Sequence, residues 1–133
     1  MIKSNWQQTN FKPILNHKTA MVVIDDRDLH ALVCRMLRMS GLNGLPANST
    51  SDAMEILEII NIGCLIMDCD SANSLELLLA VHRTNPDLPC LVITSDFSII
   101  KFLENKRNKI LLIKPFNASQ FNDKVSQVLI KEL

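Results

Sequence analysis

The chain has 133 residues, a mass of 15.0 kDa, and fourteen basic residues balanced by fourteen acidic ones. That is one domain's worth of sequence, and 47 % hydrophobic with 21 % charged residues excludes wholesale disorder. A core of this size buries roughly two thirds of the unfolded surface, so no metal or disulfide staple is needed. Zero net charge argues against a dedicated nucleic-acid binder. The three glycines, Gly41, Gly44 and Gly63, make neither a GxGxxG fingerprint nor a P-loop. The four cysteines show no CxxC pair, and no apolar run reaches the roughly 18 residues of a membrane span. A reducing, cytoplasmic setting is the simplest expectation.

Residues 1–18 carry Lys3, Lys12 and Lys18 and no acid, which leaves the remainder at −3. They are expected to form an N-terminal extension, a partly disordered tail with Trp6, Phe11, Ile14 and Leu15 as docking points. Residues 19–133 are expected to form the domain. Short apolar runs follow at Ala20–Ile24, Cys64–Met67, Cys90–Ile93 and Ile110–Ile113. They are too short for helices and lack alternation, as in strands of a parallel sheet buried on both faces. Leu42–Ala47 should supply one more strand, and Pro46 inside it demands an edge position.

Between the strands the apolar spacing is helical. Leu29, Leu32, Val33, Met36 and Leu37 follow i, i+3, i+4, i+7, i+8, and Gly41 ends that helix. Ala53, Ile56, Leu57 and Ile60 repeat the spacing, with Ser49 and Asp52 as caps. Leu75, Leu78 and Leu79 mark a third helix, and residues 97–104 a short fourth. Asn117 caps the fifth, with Phe116 and Phe121 placed as a hydrophobic staple and Val125, Val128 and Leu129 in its stripe. Lys106, Arg107 and Lys109 read as a solvated turn before the last strand. Five β-α repeats predict an α/β fold with a doubly wound, five-stranded parallel sheet.

Polar residues stand at the carboxyl ends of four strands: Asp25 and Asp26, then Asp68 followed by Asp70, then Thr94 and Ser95, then Lys114. Ligands of open α/β sheets bind at that edge. With the strand order 2-1-3-4-5, Asp68 lies between the Asp25–Asp26 pair and Thr94. Lys114 is then about 10 Å away at the backbone, within reach of its side chain. Clustered carboxylates repel, and a hard divalent cation relieves that repulsion.

This arrangement resembles the receiver domain of two-component response regulators, which has a flavodoxin-like fold. The likeness covers about residues 19–133 and rests on VVIDD, CLIMD, LVITS and LLIKPF. It implies that Asp68 accepts a phosphoryl group from a sensor histidine kinase or histidine phosphotransfer protein, with Thr94 and Lys114 binding the phosphoryl oxygens. It implies Mg²⁺ held by Asp26, Asp68 and the main-chain carbonyl of Asp70, and by Asp25 through water. It also implies a regulatory phosphoacceptor with at most slow autodephosphorylation, rather than an enzyme, and a cis Lys114–Pro115 peptide.

Output is expected through a downstream protein partner or a homodimer, or through an effector domain if the chain is an excised fragment. The contact face would be helix four, strand five and helix five, with no direct nucleic acid and no membrane. Departures from the family pattern accompany the match. Leu111 stands where a switch aromatic is usual, and the loop after Asp68 lacks the customary proline and glycine. Asp70 and Asp96 occupy positions that tune phosphate lifetime in that family. The alternative reading is a pseudo-receiver, the same fold acting as a phosphorylation-independent interaction module.

Overall fold

The structure is a computed structural model and describes residues 14–70 and 72–130. Trp6 and Phe11 lie outside the described residues. In chain order the elements are β1 (Ile14–Val23), α1 (Arg27–Met39), β2 (Asn43–Pro46), α2 (Thr50–Ile59), β3 (Asn61–Asp68), α3 (Ala72–Thr84), β4 (Cys90–Thr94), α4 (Phe97–Leu103), β5 (Lys109–Ile113) and α5 (Ala118–Ile130). All strand pairs are parallel, in the order β2-β1-β3-β4-β5. The doubly wound sheet and its order are as the strand runs and the resemblance implied. Among the described residues no helix is long and apolar enough to cross a membrane.

The continuous apolar runs explain the double covering. Successive strand residues point to opposite faces, so an apolar run supplies both. Met21, Val23, Leu65, Met67, Cys90 and Val92 pack with Ala53, Leu57, Leu77, Leu78, Val81, Ile99 and Leu103, on the face covered by α2, α3 and α4. Ala20, Val22, Cys64, Ile66, Leu91 and Ile93 pack with Val33, Met36, Leu37, Phe121, Val125 and Val128, on the face covered by α1 and α5. β2 lies at the sheet edge, where Pro46 withholds no ladder donor from a second neighbour.

Local chemistry sets the helix ends. Asp26 caps α1, its Oδ1 accepting from Leu29 N–H at 2.9 Å. Gly41, at φ +80°, ends the helix while Leu42 N–H returns to the Leu37 carbonyl at 2.8 Å. Ser49 caps α2 through Asp52 N–H at 3.0 Å. Asn117 and Gln120 form a reciprocal pair before α5, at 2.9 and 2.8 Å, and Phe116 stacks on Phe121 with centroids 6.2 Å apart.

Three local expectations change. β1 begins at Ile14, with register shifts against β3 between Ile14, Asn16 and Ala20. Its first five residues therefore come from the stretch assigned to the extension, and β3 lengthens to Asn61 beside them. α3 runs 13 residues, well beyond the Leu75–Leu79 signal. Lys109 is not solvated. It is 7 % exposed, and its Nζ donates to the carbonyls of Pro86, Leu88 and Arg107 at 3.3–3.4 Å. Three main-chain acceptors satisfy the ammonium's three protons, which makes its burial tolerable.

Candidate functional site at the carboxyl edge

The sheet delivers the polar strand ends to one edge. Asp68 closes β3 opposite Ile93, and Thr94 closes β4 opposite Ile113. Two further hydrogen bonds extend the ladders by a residue, Cys69 N–H to the Ile93 carbonyl at 2.8 Å and Lys114 N–H to the Thr94 carbonyl at 3.1 Å. Lys114 is thereby held at the mouth of β5, and its side chain spans β4. Its Nζ lies 2.9 Å from Asp68 Oδ2 and 2.8 Å from Asp70 Oδ2. The Lys114–Pro115 peptide is cis.

Asp70 is the most heavily bonded carboxylate of the site. Thr94 Oγ1 donates to its Oδ1 at 2.5 Å, Ser95 N–H donates at 3.0 Å to Oδ1 and 3.3 Å to Oδ2, and Ser95 Oγ donates to Oδ2 at 3.2 Å. Burial alone would raise the Asp70 carboxyl. Hydrogen bonds from Lys114, Thr94 and Ser95, with the charge of Lys114, outweigh that and hold it at about 2. Burial would likewise lower the Lys114 ammonium, but the bonds and charges of Asp70 and Asp68 raise it above its ordinary value. Cys69, between the two aspartates, is pushed up to about 12 by burial and by the charges of Asp70, Asp68 and Asp96, so it stays a thiol.

The Asp70 shift carries a pH prediction. Its folded pKa is depressed, so its contribution to stability is present above the ordinary carboxylate value of 3.8 and is lost as the pH falls toward about 2. In denaturant melts with a chelator present, the stability of the native sequence relative to Asp70→Asn should fall across that window. It should be level above it.

Asp25, Asp26, Asp68, Asp70 and Ser74 line one cleft of ≈ 180 Å³. Asp25 and Asp26 are exposed, with Asp26 giving one oxygen to the α1 cap, and Asp68 is half-buried. Among the described residues no group of three or more histidines, cysteines, aspartates or glutamates is gathered closely enough to hold a metal ion. Asp96 Oδ1 accepts from Ser98 N–H as the α4 cap, at 2.8 Å, and Asp96 N–H donates to Thr94 Oγ1 at 3.0 Å. Leu111 is partly buried against the core on the α4 side, without a ring to rotate.

The sequence places Ser95 beside Thr94 at the strand end but assigns it no role in the site. Its only signal was a donor-bearing residue directly after the strand that ends at Thr94. The reading also gave Asp70 a main-chain role and a tuning position, whereas its side chain lies at the centre of the hydrogen bonding.

The comparison with solved structures decides the fold's kinship. A response-regulator receiver domain from Clostridium thermocellum superposes with a TM-score of 0.70 at 15 % identity, over 86 % of this chain and 95 % of that one. A response-regulator receiver protein from Sinorhizobium medicae gives 0.70 at 22 % identity, over 84 % and 94 %. A chemotaxis protein of Vibrio cholerae gives 0.72 at 19 %, over 84 % and 98 %. This is the receiver fold. No protein-family model and no curated protein sequence matches the chain. At these identities the receiver kinship is one of architecture, and chemistry has to be argued from the site.

Proposed function

We propose that the protein is a phosphoacceptor receiver in which Asp68 takes a phosphoryl group from a phosphohistidine of a sensor kinase or phosphotransfer protein. One observation carries the reading: Lys114 Nζ reaches across β4 to lie 2.9 Å from Asp68 Oδ2, at the ligand edge of a receiver fold. An oxygen of Asp68 attacks phosphorus, a P–O bond forms and the P–N bond breaks. The imidazole leaves with the bonding electrons. The product is an acyl phosphate. Lys114 and Thr94 hold the phosphoryl oxygens as negative charge accumulates there, which is electrostatic stabilisation of phosphoryl transfer.

Among the described residues no three carboxylates gather closely enough to ligate a metal directly, but Mg²⁺ needs only one or two and keeps several waters, and Asp26 and Asp68 line one cleft with Asp25. When bound, Mg²⁺ would neutralise phosphoryl charge. Asp26 and Asp68, with the Asp70 carbonyl, are the residues that would hold it, and Asp25 would act through water. Output passes to a protein partner or a second copy through α4, β5 and α5, in the cytoplasm where phosphohistidine donors of this kind act. Leu111 supplies no aromatic switch, so that face responds through Thr94 and the α4 cap.

A second reading is favoured by one observation, the engagement of Thr94, Ser95 and Lys114 by Asp70. It is the pseudo-receiver, a phosphorylation-independent interaction module. Intact-mass spectrometry with a small phosphodonor and Mg²⁺ separates the two. A single phosphoryl adduct, absent from Asp68→Asn and from metal-free samples, is expected. Its absence from the native protein selects the pseudo-receiver.

A further inference from the structure

Capture of a phosphoryl group on Asp68 requires Thr94 and Lys114 to donate to its oxygens, and both already donate elsewhere. Thr94 is 0 % exposed. Its hydroxyl accepts from Asp96 N–H at 3.0 Å and gives its proton to Asp70 at 2.5 Å. A hydroxyl carries one proton, so no other acceptor takes it while Asp70 stays. Ser95 turns both its N–H and its hydroxyl toward the same carboxylate. Lys114 completes the set at 2.8 Å while remaining bonded to Asp68.

A convergent ammonium, two hydroxyls and a main-chain N–H form a receptor for an oxyanion. The anion they hold here is the carboxylate of Asp70. It is covalently tethered two residues from Asp68, and its own N–H donates to Asp68 Oδ1 at 3.2 Å.

We propose that the Asp70 side chain is a built-in occupant of the phosphoryl-binding position, competing with a phosphoryl group on Asp68 for Thr94, Ser95 and Lys114 and holding them in contact before any modification. The inference rests on the phosphoacceptor reading for what the position otherwise receives. An arriving phosphoryl group meets a carboxylate of like charge, and its donors become available only when Asp70 rotates away. Asp70 departure is then part of the switching event. Thr94 and Lys114 are already drawn together in the unmodified protein.

The test uses the full chain, Asp70→Ala and Asp70→Asn, each with a folded circular dichroism spectrum. Adduct formation with acetyl phosphate and Mg²⁺ is followed by intact mass. Hydrogen exchange of the Ser95 amide is followed separately, with neither donor nor metal. Asp70→Ala should be modified about tenfold faster, the effect of removing one charge-assisted competitor. Asp70→Asn should fall between, since its amide keeps an acceptor for Thr94 but loses the charge that holds Lys114.

The Ser95 amide should be protected in the native sequence and lose protection in Asp70→Ala. Uptake that is equal or slower in Asp70→Ala overturns the inference, as does a Ser95 amide indifferent to the substitution. If none of the three proteins is modified, the phosphoacceptor reading fails. Ser95 exchange then decides alone whether Asp70 holds the position. If Asp70→Ala does not fold, Asp70→Asn supplies both readouts.

Discussion

Replacing Lys114 by methionine is expected to slow phosphoryl uptake at Asp68 by about 10-fold to 10²-fold. Two effects oppose each other. Removing a donor aimed at the developing oxyanion costs about 10²–10³-fold in rate. Loosening Asp70, which Lys114 holds at 2.8 Å, offsets roughly tenfold of that loss. The first effect is larger, so the net change is a loss. The fold should survive, because the lysine side chain is 29 % exposed and methionine retains most of its stem. The variant's Asp70 carboxyl should also move up from about 2, having lost a hydrogen bond and a charge. Time courses of the intact-mass adduct check the rate, and an unchanged rate would place Lys114 outside the chemistry.

Phe121→Ala is expected to have the largest effect on stability, a loss of about 3–5 kcal/mol. Phe121 is 0 % exposed, at the start of α5 and within the cluster of Ala20, Val22, Leu91 and Leu112. It also stacks on Phe116, which enters from the cis Lys114–Pro115 turn. Removing the ring opens a cavity and frees the α5 entry at once. Domains of this kind carry about 5–15 kcal/mol in total, so the variant should be marginal at room temperature. Urea denaturation measures it, and a loss below about 1 kcal/mol would mean that the sheet and α5 repack around the gap.

Most of the architecture was legible because its causes are local. A buried parallel strand announces itself as an unbroken apolar run, and Ala20–Ile24 and Cys90–Ile93 do so plainly. Asn117, Ser49 with Asp52, and Gly41 are signals within one helical turn of the ends they set. Pro46 named the edge strand. The start of β1 was hidden because Asn16, His17 and Lys18 interrupt the apolar pattern, and pairing with β3 supplies what the pattern lacks. Lys109 reads as a surface lysine because nothing near it in sequence reveals the carbonyls of Pro86 and Leu88 that surround it.

The site divides the same way. Asp68, Thr94 and Lys114 could be placed from strand ends and strand spacing alone. The direction in which Asp70 points could not, because it depends on three donors that chain folding brings from β4 and β5. The Asp-x-Asp spacing at 68 and 70 put two carboxylates near one lysine. It did not say which would hold the hydroxyl of Thr94.

The most direct test of the account is the chemical identity of the adduct. The full chain is incubated with acetyl phosphate and Mg²⁺, then split between buffer and neutral hydroxylamine, with Asp68→Asn in parallel. An acyl phosphate on Asp68 predicts one phosphoryl adduct on the native protein, its loss in hydroxylamine, and none on the variant. A hydroxylamine-stable adduct, an adduct on Asp68→Asn, or no adduct on the native protein would contradict it.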